Sequence, residues 1–232
     1  MWANLVYVCS RPIAGLRSPI ALNTTTRRLS DNLLRELVAS MPVQRFPAGT
    51  TLLTEGDSPD YLYVLVEGQL KVYACNSKGR EVVYNILGPG EFFGEMMLDG
   101  EPRSASVKAV VDSACVLVPG SELSGMLLAH PEFAECLVMT LISRLRNATS
   151  KIRGLALDGV YERVAALLAD VAVEDGGVLR VPRAYTQLEI ATRVGASREM
   201  VNHVLRDLVR GGFILKDKQH RMTILKKLPS RW

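Results

Sequence analysis

The chain has 232 residues, of which 48% are apolar and 22% charged, with 28 Lys and Arg side chains against 24 Asp and Glu. This length suggests one large or two modest domains, each able to bury a core without disulfide bonds. No apolar run reaches the roughly 20 residues that a membrane-spanning helix needs, which argues against an integral membrane protein. The first residues lack the basic start and cleavage site of a signal peptide, so we expect a cytoplasmic protein.

The basic residues are concentrated towards the C-terminus. Residues 160–232 contain 13 Lys and Arg against 8 Asp and Glu, a net charge of +5. Residues 1–159 contain 15 against 16, a net charge of −1. This asymmetry is expected if one domain binds a polyanion and the other does not.

The first half of the chain predicts an N-terminal extension, a short helix and a β domain. Residues 1–26 show no sustained periodicity, and apolar residues at helical spacing then predict a helix over Leu29–Met41, ended by Pro42. From Val43 to Pro119, short alternating or β-branched runs are separated by Gly and Pro, as is typical of an antiparallel sandwich or jelly roll. Five strands are predicted: Tyr61–Val66, Gln69–Tyr73, Glu81–Leu87, Ser106–Val110 and Ala114–Val118.

A long helix is predicted after Pro131. Its apolar residues are spaced alternately three and four apart: Val138, Leu141, Leu145, Ala148, Ile152 and Leu155. Such a heptad seam favours pairing with the same helix of a second copy, and the alternative is a helix packed on its own domain. Asp158 and Gly159 break the pattern, and we expect Asp158 to cap the next helix and Gly159 to act as a hinge.

The C-terminal part predicts a helix-turn-helix followed by a wing. Thr186-Gln187-Leu188-Glu189 is a capping-box sequence, the helix it begins ends at Gly195, and Ser197 caps a second helix. The basic segment between two short strands, which contains Lys218, predicts a hairpin that contacts phosphates. A strand over Val178–Val181 precedes these elements.

The second helix of this motif separates an apolar stripe from a polar face. Arg198 and Glu199 begin it, where Arg can bond guanine O6 and N7 and Glu can accept from cytosine N4. A solvated polar face is the alternative for this helix taken alone. We predict the DNA contacts to come from Thr186, Gln187, Ser197, Arg198, Glu199, Asn202, His203, Arg206 and Lys218.

An anion-binding segment is predicted within the β domain. Glycine at Gly94 allows close approach of the backbone to a ligand, while Arg103 and Ser104 offer a guanidinium fork and a hydroxyl to a phosphate. Glu95 fits two roles equally well on spacing alone. It is either the ion-pair partner of Arg103 or an acceptor for sugar hydroxyls.

Two motifs resemble a known family. Gly90-Glu91-x-x-Gly94-Glu95-x-x-Leu98 followed by Arg103-Ser104-Ala105 is similar to the phosphate-binding cassette of cyclic-nucleotide-binding domains. Ser197-Arg198-Glu199-Met200-Val201, with Leu205 and Leu208, resembles the recognition helix of the cyclic-AMP receptor protein / fumarate-nitrate regulator (CRP/FNR) family of bacterial transcription factors. The resemblance covers roughly residues 27–226.

The resemblance implies an α+β fold in three parts. These are an N-terminal antiparallel β jelly roll of the cyclic-nucleotide-binding type, a long dimerisation helix and a C-terminal winged helix-turn-helix. The expected boundaries are an N-terminal extension at 1–26, the roll at 27–130, the dimerisation helix and hinge at 131–158 and the DNA-binding domain at 159–232.

The resemblance also implies a ligand-responsive transcription regulator that is not an enzyme. Its partners would be a second copy of the chain, near-palindromic double-stranded DNA and RNA polymerase, with no membrane. Its effector would be cyclic AMP or a related cyclic nucleotide, with no covalent cofactor and no metal. In the family, the cassette Glu bonds the ribose 2′-hydroxyl and the cassette Arg and Ser hold the phosphate. The implied ligand contacts are Gly94, Glu95, Met96, Arg103, Ser104, Arg144 and Thr149.

Two departures from the family pattern keep alternatives open. Ala148-Thr149 stands where cyclic-AMP binders carry a Thr-Ser pair against the adenine, so the effector could instead be cyclic di-GMP, a haem-bound gas or a redox signal, or the roll could bind nothing. His203 stands where many members carry a second guanine-reading Arg, so the DNA half-site should differ at one base.

The cysteines lack metal-ligand spacing and are predicted to be thiols: Cys9, Cys75, Cys115 and Cys136.

Overall fold

A computed structural model describes residues 28–228 of the chain, so the expectations for residues 1–26 and for Cys9 lie outside the described residues. The first element is α1 (Asp31–Ser40), which confirms the predicted leading helix. Ser30 caps it by accepting a hydrogen bond from the Leu33 N–H. Leu33 and Leu37 fall on its buried side, so the helix packs on the β domain.

The β domain is a roll of two four-stranded antiparallel sheets. The strands are β1 (Val43–Phe46), β2 (Thr51–Leu53), β3 (Tyr61–Glu67), β4 (Leu70–Cys75), β5 (Glu81–Leu87), β6 (Phe92–Phe93), β7 (Ser106–Ala109) and β8 (Ser113–Pro119). One sheet has the order β1-β8-β3-β6 and the other β2-β7-β4-β5. The five predicted strands are confirmed as β3, β4, β5, β7 and β8. The three that were not predicted have two to four residues, too few to show a periodicity.

Two helices follow the roll and meet at a sharp bend. Sequence analysis missed α2 (Gly120–Ala129), and α3 (Pro131–Leu157) is the predicted long helix, with Pro131 in its first turn. Phe133 of α3 is fully buried and lies edge-on to Phe92 of the roll, with ring centroids 5.7 Å apart. Within residues 28–228 no single helix is long and apolar enough to cross a membrane. Only α2 and α3 taken together have that length and apolar composition, and they are bent by 111° where they meet.

The C-terminal domain is a three-helix unit with a small sheet. It contains α4 (Val160–Val171), β9 (Val173–Asp175), β10 (Val178–Arg180), α5 (Gln187–Val194), α6 (Arg198–Arg210), β11 (Ile214–Lys216) and β12 (Met222–Ile224). The strand order is β11-β12-β10-β9. The strands predicted around the wing and at Val178 are confirmed, and β9 was missed. Val164, Ile190, Val201 and Leu208 are fully buried, which joins the three helices in one core.

The junction between α3 and α4 corrects one expectation. Asp158 does not cap α4; it is the C-terminal cap of α3, and its N–H donates to the Gly154 carbonyl at 2.9 Å. The cap of α4 is Gly159, without a side-chain bond. The prediction was one residue off because α3 continues to Leu157 and α4 begins only at Val160.

The helix-turn-helix lies against the roll. Helix α5 contacts β5, and the Lys151 ammonium of α3 donates to the Tyr84 carbonyl of β5. A cleft of about 490 Å³ separates the turn before β5 from the two helices. It is lined by Gly79, Arg80 and Glu81 of the roll and by Leu188, Ala191, Thr192, Ala196, Ser197 and Arg198.

Candidate ligand pocket and nucleic-acid interface

The cassette, which we define as residues 90–106, is built around a buried arginine. Gly94 directly follows strand β6, and its φ of 83° favours glycine. A Cβ there would lie 2.8 Å from Arg103 Nη1 and 3.0 Å from the Tyr61 carbonyl oxygen. Arg103 is 6% exposed, and its two terminal nitrogens donate to the carbonyls of Gly94 at 2.9 Å and Tyr61 at 2.8 Å. A backbone carbonyl of β3 and one of the residue after β6 therefore fix the guanidinium.

The second charged side chain of the cassette is joined to the long helix. Glu95 is 8% exposed, and its Oε1 lies 2.6 Å from Nη1 of Arg144 on α3. Arg144 also donates to the Phe92 carbonyl, and its guanidinium carbon lies 5.4 Å from the Phe92 ring centroid. Of the two roles left open by the sequence, the ion pair with Arg103 is not formed. Glu95 pairs with α3 instead.

Two buried polar atoms of the cassette have no hydrogen-bond partner among the described residues. They are Oε2 of Glu95, which can only accept while the carboxylate is ionised, and Nε of Arg103, which can only donate. Leaving such atoms buried and unpaired costs free energy. A ligand that carries both a hydroxyl and an anionic oxygen would satisfy them together.

The remaining predicted ligand residues lie at the surface. Ser104 is exposed, and its hydroxyl contacts Met96 Sδ at 2.9 Å. Thr149 is exposed on α3 and donates to the Leu145 carbonyl of its own helix at 3.0 Å. The structure therefore brings Arg144 to the cassette residues but, within residues 28–228, gives Thr149 no hydrogen bond to them.

Sequence reasoning missed Tyr61. Its backbone carbonyl holds Arg103, and it lies in β3, which pairs with both β8 and β6. Every residue has a carbonyl, so no side-chain pattern could have indicated this contact. Only the strand register, which places Tyr63 opposite Phe93, identifies it.

The predicted capping box is present at the start of α5. Thr186 Oγ1 accepts from the Glu189 N–H at 3.1 Å, and Glu189 Oε2 accepts from the Thr186 N–H at 2.7 Å. Arg183 donates to the other carboxylate oxygen at 2.9 Å. Burial raises the pKa of Glu189, but these hydrogen bonds outweigh it and hold the pKa below its ordinary value.

Helix α6 presents a polar face, as predicted. Ser197 caps the helix by accepting from the Met200 N–H at 3.2 Å. The apolar side chains of α6 that pack inward are Val201, Leu205 and Leu208. Four of the predicted DNA contacts on α6 are exposed, and Asn202 is half-buried. The exposed residues are Arg198, Glu199, His203 and Arg206.

A hydrogen-bonded chain links the two helices of the motif. Gln187 Nε2 donates to Asn202 Oδ1 at 2.8 Å, and Arg198 Nε lies 3.4 Å from Gln187 Oε1. In the wing, Lys218 is exposed between β11 and β12, and Arg221 donates to Asp217 at 2.9 Å. The DNA roles of these residues stay predictions.

Within residues 28–228, the thiols show no metal arrangement. In the described part of the chain, no cluster of His, Cys, Asp and Glu could hold a metal ion. Cys75 is exposed, whereas Cys115 and Cys136 are buried. Burial raises the pKa of Cys115 to about 12.

Two family models match the chain. Residues 43–130 match the cyclic nucleotide-binding domain, and residues 162–228 match the Crp-like helix-turn-helix domain. The structure is also similar to that of a CRP/FNR family transcriptional regulator from Thermus thermophilus, with 29% identity, a TM-score of 0.65, and coverage of 80% of this chain and 94% of that one. The c-di-GMP responsive global regulator CLP of Xanthomonas campestris shares the fold, with 24% identity, a TM-score of 0.72, and coverage of 84% and 99%.

Curated relatives point the same way. The CRP-like cAMP-activated global transcriptional regulator of Mycobacterium tuberculosis is 36% identical over 174 residues, which cover 73% of this chain and 78% of that protein. The cyclic AMP receptor protein of Thermus thermophilus is 32% identical over 170 residues, which cover 73% and 77%. The cassette and the recognition helix both lie within the matched domains. The chain therefore belongs to the CRP/FNR family of transcription regulators.

Proposed function

We propose that the chain is a homodimeric, sequence-specific regulator whose DNA affinity is set by cyclic AMP bound at the cassette. The observation that carries the ligand half is the pair of buried, unsatisfied atoms, Glu95 Oε2 and Arg103 Nε. A ribose hydroxyl donating to Glu95 Oε2 and a cyclic phosphate accepting from Arg103 Nε would give both atoms a hydrogen-bond partner. The cAMP-activated regulator of Mycobacterium tuberculosis and the cyclic AMP receptor protein of Thermus thermophilus support this choice of nucleotide.

The Glu95–Arg144 ion pair would couple ligand binding to the long helix α3. The carboxylate would contact the sugar through one oxygen while its other oxygen lies 2.6 Å from Nη1 of Arg144. A change in the position of Glu95 would therefore act on α3 directly. For such a ligand to regulate, its binding free energy must differ between the two arrangements of α3 and the DNA-binding domain.

The exposed side of α3 supports the homodimer. Helix α3 buries Phe133 against the roll but leaves the predicted heptad seam open, with Leu145 68% and Ile152 67% exposed. A row of exposed apolar side chains along several turns is typical of a helix that pairs with another helix. The seam, which we call the apolar stripe, consists of Val138, Leu141, Leu145, Ala148, Ile152 and Leu155.

Two recognition helices in such a dimer would read successive major grooves about 34 Å apart on a near-palindromic site. In each copy, α6 would enter the groove and the wing would contact phosphates through Lys218. We expect Arg198→Ala to lose sequence preference, because a base contact is removed. Lys218→Ala should weaken binding to all sequences alike, because a phosphate contact carries no sequence information.

Isothermal titration tests the ligand half of the proposal. Cyclic AMP should bind the full chain, and Arg103→Ala should weaken binding at least tenfold, since a charge-assisted phosphate contact is lost. Arg45→Ala, which removes an exposed arginine from β1, is the matched control and should bind normally. Equal affinities for all three proteins would refute the role of the cassette.

The same titration decides between effectors. Ala148 offers no hydrogen bond to a base, and Thr149 donates to its own helix, so base identity would rest on few contacts. Cyclic GMP and cyclic di-GMP are therefore titrated beside cyclic AMP. Tighter binding of either one would replace cyclic AMP as the effector while leaving the cassette as the site.

A further inference from the structure

The contact between the two helices of the motif contains a polar chain whose direction is fixed by chemistry. Arg198 has only donors, so the group of Gln187 that faces its Nε at 3.4 Å must be the carbonyl oxygen. The amide nitrogen of Gln187 then faces α6, where it donates to Asn202 Oδ1 at 2.8 Å. Asn202 consequently keeps its NH2 group for other partners.

The strengths of the two contacts differ. The bond from Gln187 to Asn202 has ordinary hydrogen-bond length, whereas the contact from Arg198 is long and weak. Gln187 and Asn202 are both half-buried, so solvent competes less for their bond than for an exposed one. The bond from Gln187 therefore holds the Asn202 amide firmly, and the contact from Arg198 determines which end of the Gln187 amide faces Asn202.

We propose that Gln187 is a positioning residue for base reading, which sets the orientation of the Asn202 amide and supports Arg198 from the neighbouring helix. This inference rests on the proposed sequence-specific DNA binding. With Oδ1 directed to Gln187, Asn202 presents two donors and suits a base edge that accepts, such as guanine O6 and N7 or thymine O4. Arg198 uses Nε towards Gln187 and keeps both terminal nitrogens for a guanine.

The test measures base preference and not only affinity. A DNA site is selected from a random library with the full-length protein and cyclic AMP, and every single-base variant of that site is then measured by fluorescence anisotropy. Gln187→Ala should reduce discrimination about tenfold at the same base pairs that Asn202→Ala affects, because the amide is no longer oriented. Gln44→Ala, which removes an exposed glutamine of β1, should leave every preference unchanged.

Gln187→Glu gives a sharper readout. The new carboxylate only accepts, so it would attract the NH2 group of Asn202 and turn the amide round. Asn202 would then present its oxygen, and the preferred base should shift towards one with a major-groove donor, such as adenine N6 or cytosine N4. A loss of affinity that is uniform across all sites would overturn the inference.

A double-mutant cycle separates positioning from two independent contacts. Gln187→Ala and Asn202→Ala should be non-additive by more than about twofold, whereas Gln187→Ala and Lys218→Ala should be additive, since the wing shares no partner with Gln187. Additivity of the first pair would overturn the inference alone. Absence of any sequence preference in the unmodified protein would overturn both the inference and the proposed function.

Discussion

Gly94 is the position where a single methyl group should disturb the ligand site most. Alanine there would take the left-handed conformation at φ 83°, which costs about 1–2 kcal/mol. Its Cβ would also lie 2.8 Å from Arg103 Nη1 and 3.0 Å from a backbone carbonyl, so the guanidinium must move. Loss of one charge-assisted hydrogen bond of Arg103 adds about 2 kcal/mol. We expect Gly94→Ala to destabilise the protein by about 3–4 kcal/mol in total.

Gly49→Ala is the matched control for this prediction. Gly49 has φ 85°, nearly the same as Gly94, but a Cβ there meets no atom within 4 Å. It should therefore show the backbone cost of about 1–2 kcal/mol alone. Urea unfolding gives both stabilities, and titration with cyclic AMP gives both affinities. If the two variants lose the same stability and bind the nucleotide equally well, the reasoning about the cassette is wrong.

Three further predictions concern the dimer, the capping box and the buried thiol. Leu145→Glu should convert the dimer to a monomer in analytical ultracentrifugation. Leu128→Glu, at an 84% exposed position on α2 outside the apolar stripe, should remain a dimer. The same oligomeric state for both variants would contradict this prediction. Glu189→Gln should cost about 1 kcal/mol at pH 7. Because the folded-state pKa of Glu189 is lowered, its contribution is present above the unfolded pKa and lost as the pH falls through the folded pKa, so the two unfolding free energies should converge in acid. Cys115, with a pKa of about 12, should resist a thiol reagent at pH 8 until the protein unfolds, and mass spectrometry of the labelled folded protein checks this.

Local patterns predicted most of the secondary structure. Alternating residues identified β3, β4, β5, β7 and β8, and the capping-box sequence identified the first turn of α5, because these signals act within a few residues. Helix α2 was missed because it has no side-chain cap and contains Gly120 and Gly125. Its helical conformation depends on packing of residues such as Leu123 against the roll.

Long-range contacts of the site could not be read in the same way. The cassette motif predicted Glu95 and Arg103 as site residues but left the partner of Glu95 open, and the structure pairs Glu95 with Arg144 on a different element. That choice depends on where α3 lies over β6. The orientation of Asn202 likewise depends on how α5 and α6 cross, which no spacing in the sequence reveals.

The most direct test of the account is the DNA affinity of the full-length protein as a function of cyclic AMP. Fluorescence anisotropy with the selected DNA site should show at least tenfold tighter binding when cyclic AMP is present, and Arg103→Ala should abolish this increase. The same DNA affinity with and without the nucleotide in the unmodified protein, or an equal increase in Arg103→Ala, would contradict the claim that the cassette controls DNA binding.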